Sequence, residues 1–504
     1  MPVNSEHKLY SEFKNDWKEI RDCVKGNRAI KKEKETYLPR LTGQDKKAYE
    51  RYLKRVKFFG ATGRTLDGLH GNVFRKAPTY TGKVSDSFLE SLKDVDLKGT
   101  NIEQFVSDII TDELPTNWGG ILVDYARGEE AVSLAEADAK GLKWYLKYYP
   151  AECVINWENK TINGKNKLSM VVLIEHSTTS KPDDRFVVEP YIIYRVLYLD
   201  PKTNKYKQDI YDDRFSLTEP KEKEIIIKMN GSEMDEIPFF TIPGTQPEKS
   251  MLYDLAQLNI QHYQDTADHQ HGKHYTAIPF LAAIGLSPAL DEETQKPKPL
   301  VAGGDTVNYF PNENGTSGAD VKYVEFSGQG IKAISDGIGH LESQMAILGA
   351  HIIAAEKKGV ESAEALRIHR IGENGVLATF TRNISTSVTM ALRKKGEGDG
   401  EDLNKLNQWS INFNTDYDVS DEDIKALATL LTGRASGEIP KISIYLMLKS
   451  LNLIPEQWTF EDYIAEIEKD AHAILPTMRI VNNENETDDK NKDILDEIDE
   501  EDDD

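Results

Sequence analysis

Cysteine is nearly absent. Cys23 and Cys153 are the only two in 504 residues. That excludes a disulfide framework and a thiolate zinc site, and reads as two reduced thiols in a cytoplasmic protein. Long apolar runs are absent too: none approaches the ~18 residues of a membrane span. The N-terminal stretch MPVNSEHKLYSEFKND has no apolar core of the signal-peptide kind. A basic surface is also missing. The formal net charge is −23 and the mean hydropathy −0.55. Residues 482–504 hold 13 acids against 2 lysines, a net −11, which leaves −12 for the other 481 residues. Such a body does not grip nucleic acid through a general positive field, although DNA can slide past a wall of like charge.

Catalytic signatures are missing as well. There is no GxSxG, Walker A or kinase set. GATGRT at 60–65 lacks the spacing and the lysine of a phosphate loop and reads as a glycine-permitted turn. Gly328-Gln329-Gly330 lacks the rest of a dinucleotide fingerprint. The sharpest chemical cluster is Asp265, Asp268, His269, His271 and His274. Asp265 and His269 are i, i+4 neighbours of the kind that ligate metal. With no HExxH and no matching carboxylate cluster elsewhere, helix–helix packing or hydrogen bonding is the preferred reading. No cofactor, catalytic or metal residue is assigned, and no enzyme activity is expected.

What is present is periodicity. Residues 5–35 are polar and helix-compatible, and Tyr37-Leu38-Pro39 ends that stretch. A helix over 44–59 places Tyr49, Tyr52, Leu53 and Val56 on one face, and another over 101–114 carries Ile102, Phe105, Val106, Ile109 and Ile110. Trp118 to Tyr125 reads as a turn feeding a buried strand. Residues 144–245 hold β-branched and aromatic runs, among them 171–174, 191–198 and Ile225-Ile226-Ile227, parted by turns such as Asn163-Gly164 and Asn230-Gly231. This is an antiparallel β region. Three helices follow, over 251–275, 331–355 and 362–395, with a loop-rich insert before the second. The second carries Ile331, Ile334, Ile338, Leu341, Met345, Leu348 and Ile352, a heptad seam roughly 30 Å long. The third presents Leu377, Phe380, Ile384, Val388 and Leu392 on one face, with Gly372 and Gly375 as a kink or a close contact. Lys357 and Lys358 lie between these two helices. Residues 396–402 read as a polar linker, Trp409 to Phe413 as a strand, and 424–469 as three short helices divided at Gly433 and Pro455 after a Ser420 cap. The fold class is α+β, mostly helical. The acidic tail is expected to be disordered.

In this order the parts resemble a tailed-phage portal protein of the DUF4055 type. The resemblance rests on Tyr37-Leu38-Pro39, the run Gly68 to Pro78 (GLHGNVFRKAP), Gly119 to Asp124 (GGILVD), Asp254 to Tyr263 (DLAQLNIQHY) with Ala267-Asp268-His269 and Pro279, Glu342 to Ala350 (ESQMAILGA), and Asn414 to Tyr417 (NTDY). It covers about residues 35–420. It implies wing, stem, clip and small crown, with long helices around a central channel. Residues 1–248 would be the N-terminal wing part, including the β-rich region at 144–245. Residues 249–277 would be the first stem helix, 278–330 the clip, 331–355 the second stem helix and 356–361 a tunnel loop. Residues 362–420 would be a wing helix and strand, 421–481 a helical crown, and 482–504 the disordered tail. The resemblance further implies a homo-oligomeric ring, usually of twelve, at a capsid vertex. Double-stranded DNA would pass through it. The terminase large subunit, a head–tail adaptor and a major capsid or scaffolding protein would be partners, with no membrane. The location would be the virion, and the host cytoplasm during assembly. Lys357 and Lys358 would face DNA from the tunnel loop. The competing readings are a metal-dependent hydrolase or nuclease using Asp265 and His269, and a non-channel scaffold or adaptor protein that binds through the tail.

Overall fold

The computed structural model describes residues 2–126, 142–162, 164–181, 184–276, 280–284, 290, 320–324, 329–348, 363–415, 429–430, 440–450, 454 and 458–470. The chain divides into two compact units, Met1–Tyr417 and Asp418–Asp504. The architecture is α+β. No helix among the described residues is long and apolar enough to cross a membrane.

The first unit begins with α1 (Lys8–Lys25), which buries Tyr10, Trp17, Ile20 and Cys23. Gly26 stops it with a φ of 75°, its N–H returning to the Asp22 carbonyl. The helix-compatible stretch 5–35 is therefore two helices, the second being α2 (Asn27–Glu33). Next come α3 (Lys46–Arg55), capped by Asp45, and α4 (Ala61–Val73). The expected turn at 60–65 is thus the start of a helix. None of its glycines has a positive φ. A Cβ on Gly63 would lie 3.0 Å from the Val24 carbonyl oxygen, so this glycine lets α4 approach α1 closely.

A short strand β1 (Thr79–Thr81), α5 (Asp86–Ser91) and α6 (Ile102–Thr116) lead to the sheets. Asn101 caps α6 by accepting from Gln104, and Asn117 ends it in the left-handed region. Strand β2 (Gly119–Tyr125) lies between β3 (Trp144–Pro150) and β11 (Phe239–Ile242), antiparallel to both. Its two glycines make room. A Cβ on Gly120 would meet the Phe239 ring, and one on Gly119 the Glu113 carboxyl. The second sheet is a five-stranded antiparallel meander of β4 (Val154–Ile162), β5 (Lys165–Lys181), β6 (Asp184–Leu199), β7 (Tyr206–Asp212) and β8 (Glu222–Ile225). The isoleucine run at 225–227 is only partly strand: β8 stops at Ile225, and Ile226 is exposed. A two-residue hairpin, β9 (Lys228–Met229) with β10 (Ser232–Glu233), precedes β11.

Beyond the sheets lie α7 (Tyr253–Thr276), the paired strands β12 (Phe280–Ile284) and β13 (Asp320–Val324), α8 (Gln329–Ile347) and α9 (Ala363–Gly398). Helix α9 buries Leu377, Phe380, Ile384, Val388 and Leu392, each on the expected face. They pack on β2, β3 and β11, each worth about 1.5–3 kcal/mol of apolar burial. The first unit closes with α10 (Leu403–Gln408) and β14 (Ser410–Asn412), which pairs with β1. The polar linker expected at 396–402 is a correction: α9 continues to Gly398. Gly396 faces Phe88 and Leu406, and Gly398 faces the Trp144 indole, with room for no side chain at either. Glycine here is a contact surface, not a hinge. In the second unit, α11 (Lys441–Ser450) and α12 (Phe460–Asp470) meet through Tyr445, whose ring is 5.4 Å from Phe460 and whose hydroxyl donates to the Trp458 carbonyl at 2.8 Å. Ser420, Gly433, Pro455 and the acidic tail lie outside the described residues.

One half-buried polar cluster, with Glu113 fully buried in it, lies where α1, α6 and β3 meet. Arg21 forms a two-pronged pair with Asp112 at 2.7 and 2.9 Å and also binds Glu152. The Tyr148 hydroxyl lies 2.8 Å from Asp112 and 2.9 Å from Glu113. One hydroxyl proton cannot serve both carboxylates. Burial, and then the charge of Asp112, push the Glu113 carboxyl well above its ordinary value. The Tyr148 hydroxyl, as donor, works against this rise without reversing it.

Two tests follow from packing and burial. Gly396→Ala should destabilise by about 1–3 kcal/mol through overpacking, lowering the urea midpoint. Gly375→Ala, in the same helix with nothing within 4 Å of its Cβ position, should stabilise by about 0.5–1 kcal/mol. Glu113 binds its proton more tightly folded than unfolded, so its contribution to stability is lost as pH rises from the ordinary carboxyl range through the folded value. Glu113→Gln should therefore gain on the wild type as pH rises above about 4.5. A constant difference between the two melting curves from pH 4 to pH 8 would contradict the raised value.

Candidate functional site

The candidate site is the helix pair α7 and α8. Its root is fixed by one amide. Asn259 is fully buried on α7. Its Oδ1 accepts from the Thr62 N–H at 3.2 Å and the Thr62 hydroxyl at 2.9 Å, and its Nδ2 donates to the Phe59 carbonyl at 2.7 Å. This pins α7 to the start of α4. Gln264 donates to the Tyr37 carbonyl at 2.9 Å, and Ser250 to the Leu114 carbonyl at 2.8 Å. Tyr263 is buried edge-on to Phe58. At the far end of the chain, Asn414 donates to the Asn72 carbonyl at 3.0 Å. Two of the stretches that carry the resemblance, 68–78 and 414–417, thus meet at this pair.

Helix α8 runs antiparallel to α7. His262 on α7 lies 3.5 Å from the Glu342 carboxylate on α8. Eleven residues earlier on α8, Ile331 sits opposite Gly272, 3.7 Å from where a Cβ would be. Burial falls along the pair. Leu255, Ala256, Ile260, Tyr263 and Ala267 are buried on α7, as are Leu341 and Met345 on α8. Toward Lys273 and Gly330 both helices are open to solvent. The pair is rooted in the body at one end and emerges from it at the other. Helices of 24 and 19 residues measure about 36 and 28 Å.

The heptad seam is buried in its middle. Leu341 and Met345 are buried, Ile331, Ile334 and Ile338 are half-buried, and Leu348 is 43% exposed. Ile352, Lys357 and Lys358 lie outside the described residues.

The aspartate–histidine cluster is spread over the contact with α3. Asp268 accepts from the Tyr52 hydroxyl at 2.5 Å, His271 lies edge-on to the Tyr52 ring, and His274 is 3.0 Å from the Arg55 guanidinium. Burial, then Asp268, raises the Asp265 carboxyl; burial, then Lys273, lowers His269. Among the described residues no three such side chains gather in a metal-binding group. A second polar centre was not foreseen. Arg195 on β6 is buried between Asp124 on β2 and Glu175 on β5, the latter at 3.0 Å. Burial alone would raise Glu175, but Arg195 and Lys147 outweigh it and hold it below its ordinary value. Asn259 was also missed, although a polar residue on the buried face of DLAQLNIQHY was its signal.

Residues 251–395 match a family described as DUF4055, a domain of unknown function. The match starts just before α7 and ends within α9. No curated protein matches the chain. Among solved structures, similarity is found to a chain in the neck of an empty gene transfer agent particle (C6 symmetry), with a TM-score of 0.39 and 12% identity over 82% of this chain and 95% of that one. A chain in the virion of the native particle gives 0.33 and 13%, covering 78% and 90%. One in the native neck with C12 symmetry gives 0.37 and 13%, covering 77% and 89%.

Residue-by-residue burial on α8 makes a graded prediction. Leu341→Ala and Met345→Ala should each cost about 2–4 kcal/mol, as large-to-small changes at buried positions do. Leu348→Ala should stay within about 0.5 kcal/mol in the isolated chain. Urea unfolding of the three variants measures the ranking, and equal losses would refute it.

Proposed function

We propose that this protein is a structural subunit of a tailed-phage-type particle, a portal whose copies form a ring at one capsid vertex and pass double-stranded DNA. The observation that carries the reading is the matched stretch 251–395. It holds two antiparallel helices rooted in an α+β body and opening outward, with β12 and β13 between them in sequence, followed by a 36-residue helix laid back on the body's sheets. That is the order stem, clip, stem, wing that the sequence resemblance implies.

In this reading α7 and α8 are the stem helices. The segment around β12 and β13 is the clip, which docks the terminase large subunit and later the head–tail adaptor. Residues 356–361 are the tunnel loop, and the subunit count is twelve. The physics favours a conduit over a grip. A chain at −12 outside its tail neutralises few phosphates, and tight neutralisation would brake a moving polymer. Lys357 and Lys358, repeated around a ring, would give a weak multiple contact.

Electron microscopy of the purified protein tests the ring: a closed annulus with an axial hole is expected, and a persistent monomer at high concentration would end the proposal. For the tunnel lysines, Lys357→Ala with Lys358→Ala should leave ring formation intact and change DNA packaging or retention. Unchanged packaging removes their role.

A further inference from the structure

Charge is unevenly distributed along the chain. Residues 25–57 hold 12 lysines and arginines against 4 acids, a net +8, while the other 471 residues carry −31. The acidic average hides one strongly basic stretch. It contains α2 and α3 and lies outside the matched residues 251–395.

The fold gathers these cations. The Phe58 N–H donates to the Asn27 side chain at 3.0 Å, and the Lys31 ammonium donates to the Lys54 carbonyl at 3.2 Å. Helix α2 therefore lies along the end of α3. Burial, and then the Lys57 ammonium, hold Lys31 below its ordinary value, as a like charge close by does. Arg28 and Lys32 are exposed on the adjoining stripe of α2. Lys47, Arg51 and Lys54 are exposed along one stripe of α3, roughly 10 Å from end to end.

The acids of the stretch are engaged elsewhere. Glu33 pairs with Lys18 at 3.1 Å and Glu35 with Arg40 at 2.6 Å, while Asp45 caps α3 by accepting from the Ala48 N–H at 2.7 Å. Among the described residues, no carboxylate forms an ion pair with Arg28, Lys31, Lys32, Arg51, Lys54 or Lys57. The C-terminus of α3 carries about half a negative charge, which does not account for six cations. Like charges held together cost stability, and a bound polyanion removes that cost.

The occupant follows from what this surface lacks. No large apolar side chain within 25–57 is exposed. Protein interfaces centre on aromatic or aliphatic anchors. A helix at a lipid surface inserts Trp, Phe or Leu. Single-stranded nucleic acid stacks its bases on aromatic rings. A duplex backbone asks only for cations within reach of its phosphates. We propose that α2 and α3 form a binding site for the phosphate backbone of double-stranded DNA, with no base selectivity. The choice of DNA over duplex RNA rests on the function proposed above, whereas the contact itself does not need the ring.

The test is fluorescence anisotropy of a labelled DNA duplex of mixed sequence with the full chain, repeated over a series of salt concentrations. The patch variant is Arg28→Gln, Arg51→Gln and Lys57→Gln. A control with the same change in net charge is Lys93→Gln, Lys160→Gln and Lys223→Gln. All six positions are exposed, so both variants should keep the wild-type circular dichroism and melting temperature. The wild type should bind the duplex, and more weakly as salt rises. The patch variant should bind on the order of tenfold or more weaker at low salt, with the slope of log K against log salt reduced by about 2–3. The control should match the wild type. No binding by the wild type, or equal losses in the two variants, would overturn the proposal. Binding of polyglutamate or of phosphatidylserine vesicles in place of DNA would also overturn it, by giving the patch another occupant. Rings from a wild type that does not bind DNA would discard this site and keep the portal reading. A ringless wild type that binds DNA through the patch would do the reverse.

Discussion

The protein's organisation depends on how the first half of α7 is held in the body. Asn259 places a full amide where water cannot reach it and satisfies it on both sides, against Thr62 and Phe59. Losing one partner would strand a buried polar group, at about 1–3 kcal/mol. Around it, α7 takes contacts from α1, α3 and α4. Helix α8 is held on it through Leu341 and Met345 and the His262–Glu342 approach. The body positions α7, and α7 positions α8.

The same body uses glycine for proximity more than for turning. Gly63 brings α4 against α1, Gly119 and Gly120 admit Glu113 and Phe239 to the strand, and Gly396 and Gly398 press the end of α9 onto Phe88 and Trp144. Each closes a gap that a methyl group would hold open. The resulting frame is tightly packed at the root of the helix pair, and the pair leaves it with progressively fewer neighbours. A rigid base with an emerging, half-apolar helix pair suits an element whose remaining surface is completed in an assembly.

Much of this was readable in the chain. The α9 stripe of Leu377, Phe380, Ile384, Val388 and Leu392 and the β region at 144–245 follow from periodicity, which encodes which face is buried without reference to a partner. Gly63, Gly396 and Gly398 were misread because glycine has two uses, a positive φ and a missing Cβ. Only the neighbouring atoms distinguish them. The aspartates and histidines of α7 share a helix by sequence, but whether they converge depends on α3, which delivers Tyr52 and Arg55 from more than 200 positions away. Arg195 could not be foreseen as a buried ion-pair centre, because its partners Asp124 and Glu175 come from two other strands.

The sequence by itself determined the periodic elements, the absence of disulfides, the acidic balance and the order of parts that resembles a portal. Those are properties of composition and local repeat. Only the tertiary structure decided that α8 lies antiparallel on α7, that its heptad seam is buried at Leu341 and Met345 but exposed at Leu348, and that the β5–β6 ribbon runs past its flanking strands. Burial and strand pairing belong to pairs of distant residues, and no local pattern specifies which distant residue will be the partner.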